Sequence, residues 1–141
     1  MISRGVNFGI SEIIRFIRAN DKRGWCFEGW PDDILAAYLR WYHAAGSLCL
    51  VEEDGELVAL ATGVQVQEKD LDKHWQVNDP AGDVLHLQDL VASKKRGVAA
   101  CLDEMFSRFP KWREMKLVAV RRGQRRVMPP ELFEKICMHW V

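Results

Sequence analysis

Residues 83–100 read DVLHLQDLVASKKRGVAA, and the stretch divides at Ser93 into two patterns. Val84, Leu85, Leu87, Leu90 and Val91 place apolar side chains at both odd and even positions, the pattern of a strand covered by helices on both faces. Such a strand belongs in the middle of a sheet. Behind the basic turn SKKRG, Val98, Cys101, Leu102, Met105 and Phe106 repeat at helical spacing until Phe109 and Pro110 close the run. A second β-rich run, Met115 to Val120, follows. A strand, a helix and a strand in succession imply a parallel pair.

Upstream, the segments 48–51 and 57–66 are rich in Val and Leu and are joined by Glu53-Asp54-Gly55-Glu56, a strong hairpin signal. Ser11 caps an amphipathic helix over about 11–19, with Ile13, Ile14, Phe16 and Ile17 on its apolar face. Pro31, followed by Asp32 and Asp33, opens a second helix over about 31–45. The polar stretch 67–82 predicts a loop with room for one turn of helix, and Pro129 or Pro130 opens a last helix over about 129–138. No internal repeat or low-complexity linker divides the chain, so residues 1–141 are expected to form a single domain. The elements define an α/β (α+β) fold.

Composition narrows the function classes. The chain is 48% hydrophobic and 28% charged, which supports neither a disordered nor a membrane protein. No apolar run approaches the ~20 residues of a membrane span, and the start MISRGVNFGISEII lacks the layout of an export signal, so a cytoplasmic location is expected. Cys26, Cys49, Cys101 and Cys137 lie far apart without a CxxC and read as buried thiols in a reducing compartment. Twenty basic residues balance twenty acidic ones, which argues against bulk nucleic acid as a partner. The basic charge is nevertheless clustered, at Lys94, Lys95 and Arg96 and again at Arg121, Arg122, Arg125 and Arg126. His43 and His74 have no Cys or carboxylate at ligand spacing, so no metal site is expected. Trp25, Trp30, Trp41 and Trp75 read as aromatic core packing rather than a base-stacking platform.

A strand running into a turn of the form Arg/Gln-x-x-Gly-x-Gly/Ala that opens a helix is the pyrophosphate-binding signature of the GNAT N-acetyltransferases. Lys94, Gly97 and Ala99 match it here, with Lys in place of the usual Arg or Gln. Glycine lets backbone approach phosphate, and the exposed amides of a helix start attract an anion. The chain resembles this family over about residues 30–138, through the hairpin, the strand leading into the motif, and the strand and helix that follow. The resemblance implies a GNAT-like mixed, mostly antiparallel sheet of about four to six strands flanked by about four helices. It implies acetyl-CoA as co-substrate, held by the backbone of Leu90, Val91 and Ala92 and by the turn of Lys94, Lys95, Arg96, Gly97, Val98 and Ala99, with the Leu90 amide or a neighbour polarising the thioester. The activity implied is acetyl transfer to an amine of a small molecule or protein. A glutamate in place of Gly97 is expected to occupy the phosphate position.

The family's general base often lies on this strand or the one before it, which makes Asp89 and His86 the candidates. A carboxylate in a central strand needs a partner or a function, whereas His86 also reads as a sheet residue satisfied by a neighbour. The arginine cluster reads as a solvated loop placed to meet the 3'-phosphate of CoA or an RNA backbone. Two departures from the family pattern stand out. Phe133 occupies the place where these enzymes often carry a tyrosine that protonates the departing thiolate. The family also usually continues past the last helix into two more strands, so the resemblance is to a shortened member whose absent strands a second copy, in a homodimer, would supply. Both departures support the competing reading, a non-catalytic GNAT-like binding or structural protein of the kind phages and mobile elements carry. A small nucleic-acid-binding module ranks last, because no base-reading motif is present.

Overall fold

The computed structural model describes residues 2–4, 8–21, 26–73, 75–121 and 124–140, with the side chains of Arg4, Arg121 and residues 136–140 outside the description. Trp25, His74 and Arg122 likewise lie outside the described residues. The elements are β1 (Ile2–Arg4), α1 (Ile10–Asn20), α2 (Asp32–Ala44), β2 (Leu48–Glu53), β3 (Glu56–Val66), β4 (Val84–Ala92), α3 (Lys95–Ser107), β5 (Lys116–Arg121), β6 (Gln124–Met128) and α4 (Pro130–Trp140). The six strands lie in sequence order across one sheet. All neighbours are antiparallel except β4 and β5, which run parallel across the α3 connection.

Local chemistry explains the best-defined joints. Asp54 and Gly55 close the β2–β3 hairpin with positive φ at both residues (54° and 84°), the geometry whose twist matches that of the flanking strands. Pro31, already at φ −60°, precedes α2, and Asp32 and Asp33 place negative charge in its first turn. Gly97, in the first turn of α3, is buried because the helix lies directly on β3. A Cβ there would sit 3.1 Å from both the Val58 carbonyl oxygen and the Ala59 Cβ.

The sheet separates two apolar layers. On one face α1 and α2 bury Ile13, Ile17, Leu35 and Leu39 against Leu48, Leu50, Leu60 and Val64. On the other, α3 and α4 bury Cys101, Leu102, Met105 and Phe133 against Cys49, Val51, Ala61 and Leu85. Each fully buried Leu or Phe contributes roughly 1.5–3 kcal/mol, so each layer anchors its pair of helices. Cys49 and Cys101 are buried thiols, each donating to the other's carbonyl oxygen, and Cys26 is a half-buried thiol.

Two strands go beyond the sequence reading. β1 pairs with β2 at one edge, and residues read as an arginine-rich loop form β6 at the other. Three consecutive arginine or glutamine side chains suggest solvent, yet an edge strand needs only backbone pairing on one side, and Gln124, Arg125 and Arg126 are exposed. Trp30 packs against the α1/α2 layer as expected, but two other tryptophans part from expectation. Trp41 and Trp75 are 42% and 36% exposed, and Trp75 lines a cavity instead of packing in the core.

Candidate active site

Strand β4 changes character in its middle. Thr62 pairs with Asp89 but Gly63 pairs with Leu87, so Gln88 is an extra residue, a β-bulge. In an unbroken strand Val84 and Val91 would face opposite sides, yet both pack in the α1/α2 layer. The bulge therefore turns Gln88 and Asp89 together toward α2, while Leu87 and Leu90 look toward α3. One inserted residue moves the carboxylate from one side of the sheet to the other.

At the same place β4 loses its other neighbour. The parallel pairing with β5 runs from Val84–Lys116 to Leu87–Ala119 and goes no further. Beyond it the edge of residues 88–92 faces a cavity of about 510 Å³ lined by Leu87, Leu90, Leu102, Val120, Leu132 and Phe133 among others. Among the described residues, Asp89 is the one ionisable side chain in that wall. A smaller pocket of about 180 Å³ continues along Leu90, Val91, Ala92 and Val98 toward the start of α3.

A further cavity, of about 380 Å³, opens on the α2 face. Its walls include Trp30, Tyr38, Tyr42 and Trp75, and its floor is His86, Gln88 and Asp89. The rings interlock edge to face, with Trp30 5.0 Å and Trp75 5.6 Å from the Tyr38 ring centroid. Asp89 and Val120 border both this cavity and the larger apolar one. The two cavities thus meet where the strands part.

Asp89 is held by two hydroxyls. Tyr38 Oη donates a hydrogen bond to its Oδ2, and Thr62 Oγ1 donates to the same oxygen at 2.6 Å. Among the described residues Oδ1 accepts no hydrogen bond and no cation pairs with the carboxylate. Burial therefore dominates and raises its pKa from 3.8 to about 6, against the lowering effect of the two hydroxyls. Tyr38 is pushed well above its ordinary value, first by burial and then by the Asp89 charge, and so stays a donor.

His86 has a defined tautomer. Gln76 spends both amide protons on the carbonyl oxygens of Asp70 (2.7 Å) and Leu71 (3.0 Å), so its Oε1 must be the acceptor that faces His86 Nδ1 at 3.0 Å. Nδ1 therefore carries the proton, and Nε2 is a bare lone pair, buried and without a partner among the described residues. Burial, aided by Arg125, lowers the His86 pKa from 6.5 to about 4. At neutral pH the ring is uncharged.

The predicted anion turn has a different local balance. Lys94, at the N-cap of α3, has no side-chain acceptor and makes no cap bond. Arg96 forms a two-pronged contact with Glu53, its Nε donating to Oε2 at 3.1 Å, and Lys94 Nζ lies 3.6 Å from Oε1 of the same carboxylate. Glu53 is buried while Lys94 and Arg96 stay about half exposed, so the charge of this turn is partly neutralised yet reachable. Gly97 points its missing side chain at β3, so its role in this turn is close helix–strand packing, and a glutamate there would meet backbone rather than ligand. Arg125 is engaged elsewhere, with Asp72 at the rim of the α2-side cavity. Arg126 contacts Gln124.

Asp89 and His86 were visible in the sequence. Tyr38, Thr62, Gln76 and Gln88 were not, because a bulge leaves no periodic signal and Gln76 lies in a loop without pattern. Among the described residues no group of three potential metal ligands occurs, and no helix is long and apolar enough to cross a membrane.

A mixed six-stranded sheet that opens beside a central bulge, with a helix starting at the opening, defines a GNAT-like fold. One solved structure agrees. The chain is similar to the loading GNATL domain of CurA from Lyngbya majuscula, with a TM-score of 0.54 and 12% identity over 85% of this chain and 64% of that one. It also aligns with the GphF GNAT-like decarboxylase in complex with isobutyryl-CoA (TM-score 0.47, 12% identity, 85% and 65% covered) and with PH1933 from Pyrococcus horikoshii OT3 (0.48, 12%, 84% and 77%). The chain spans slightly less than two thirds of the first two. No family model and no curated protein matches the sequence.

Proposed function

We propose that the protein binds an acyl-CoA, acetyl-CoA in the simplest case, along the open edge of β4 and transfers the acyl group to an amine held in the α2-side cavity. The observation that carries this reading is the parting of β4 from β5 beyond Leu87, between the start of α3 and Asp89. An extended pantetheine arm takes the place of the missing strand beside Leu90, Val91 and Ala92. The pyrophosphate lies at the first turn of α3, where Lys94, Lys95 and Arg96 add positive charge and the backbone around Gly97, Val98 and Ala99 supplies amides. Asp89 takes the proton of the attacking amine, and His86, neutral and with a bare Nε2, accepts a hydrogen bond from the acceptor. Holding amine and thioester on either side of the same gap removes the entropic cost of bringing them together.

A second reading, a GNAT-like protein that binds without catalysing, draws on Phe133. This residue is buried in the α3/α4 layer and lines the apolar cavity, where it has no proton to give a leaving thiolate. Calorimetric titration with acetyl-CoA, backed by thermal shift, tests the first reading, because a ligand specific to the folded state raises its stability. Micromolar binding is the expected result. No binding at millimolar ligand would remove the cofactor site and leave the binding-protein reading.

A further inference from the structure

Of the described residues that line the apolar cavity, Asp89 is the one able to carry a transferable proton, and among the described residues it is also the one ionisable group shared with the α2-side cavity. This coincidence follows from the bulge at Gln88, which sets the carboxylate at the point where the two strands part. Resting on the transferase reading above, we propose that Asp89 serves both halves of the reaction, as the base toward the amine and then as the acid toward the thiolate.

The step balances as follows. A neutral amine in the α2-side cavity attacks the thioester carbonyl carbon, and a C–N bond forms. Oδ1 of Asp89 accepts one N–H proton. The C–S bond breaks with its electron pair on sulfur, and Asp89 returns that proton to the sulfur, so amide and free thiol leave with the carboxylate restored. The second oxygen stays fixed by Tyr38 and Thr62 throughout, which holds Oδ1 in place between the cavities. Phe133 then needs no hydroxyl.

The surroundings suit a group that is emptied and refilled. Facing Asp89 are Tyr38 and Tyr42 from α2, Thr62 from β3 and Cys26 from the segment before α2, all neutral at pH 7. Asp21, at the end of α1, adds a weak like-charge effect. His86 is neutral, and the charged residues at the cavity rim, Asp72, Lys73 and Arg125, are paired with Arg125, Asp70 and Asp72 respectively. A carboxyl with no cation paired to it among the described residues has the moderate basicity that both taking and returning a proton require.

The test uses the whole chain with acetyl-CoA as donor and benzylamine or hydroxylamine as probe acceptors. Asp89→Asn is expected to lower kcat by about 100-fold or more while changing the acetyl-CoA affinity by less than about 3-fold. Phe133→Tyr in the Asp89→Asn background is expected to regain about 10-fold, because the added phenol lines the apolar cavity and can protonate the thiolate. A purely structural role for Asp89 would not be rescued by that change. Transfer by Asp89→Asn within about 3-fold of wild type overturns the inference. A loss that Phe133→Tyr does not recover reduces Asp89 to a base and overturns the dual role. Acetyl-CoA binding by wild type without transfer to either amine instead overturns the transferase reading itself, and this inference falls with it.

Discussion

Asp89 sits where its charge is costly, and the cost has a pH signature. In the unfolded chain it ionises near 4, whereas in the fold burial delays ionisation to about 6. Between these values the folded protein keeps a proton that the unfolded chain has released, so this residue's contribution to stability falls as pH rises through the window and stays low above it. Asp89→Asn is therefore expected to melt higher than wild type at pH 7.5, by an equivalent of ~1–2 kcal/mol, and to lose that advantage near pH 4. An equal melting difference at both pH values would refute the burial argument. His86 behaves in the opposite sense. Its folded pKa of about 4 lies below 6.5, so its contribution is present above pH 6.5 and is lost as pH falls toward 4. Ring nitrogen shifts should report an unchanged neutral Nδ1–H tautomer from pH 7.5 down to about 5.5. A midpoint near 6.5 would mean that Gln76 does not hold the ring as described.

Elements read well from the sequence where their signals are local. The β2–β3 hairpin is written in Asp54-Gly55, α2 in Pro31-Asp32-Asp33, and α3 in the spacing of Cys101, Leu102, Met105 and Phe106. β6 was missed because an edge strand of exposed polar residues has no alternation to detect, and β1 because three residues are too few to show a pattern. The bulge was missed for a different reason. The β4 sequence looks apolar on both faces, and only the partner strand reveals that Gln88 has no opposite number. The position of Gly97 was legible, but its close packing on β3 was not. The motif speaks only of phosphate and gives no sign that the backbone of Val58 lies within 3.1 Å of where a side chain would start. Gly97→Ala is expected to cost about 1–3 kcal/mol by pushing α3 off β3, and Gly97→Glu to yield little folded protein, as read by urea denaturation. A well-folded Gly97→Glu variant would contradict the close packing.

Over the whole molecule, the sheet amounts to a four-stranded part, β1 to β4, and a hairpin, β5 and β6, stitched together by four residue pairs and by the α3 connection. The two helix layers cover both parts, so the seam survives without further pairing. The interlayer core was predictable from hydrophobic pattern, but the seam was not, since pairing that stops is a property of two strands and of neither alone. Viewed mechanically, the protein is a zip halted halfway, with the slider's position fixed by Leu87 and Ala119. Anything that lies along residues 88–92 finishes the zip and turns two parts into one. Ligand occupancy should then be legible far from the gap, as slower amide exchange in β5 and β6 rather than only in the strand the ligand touches.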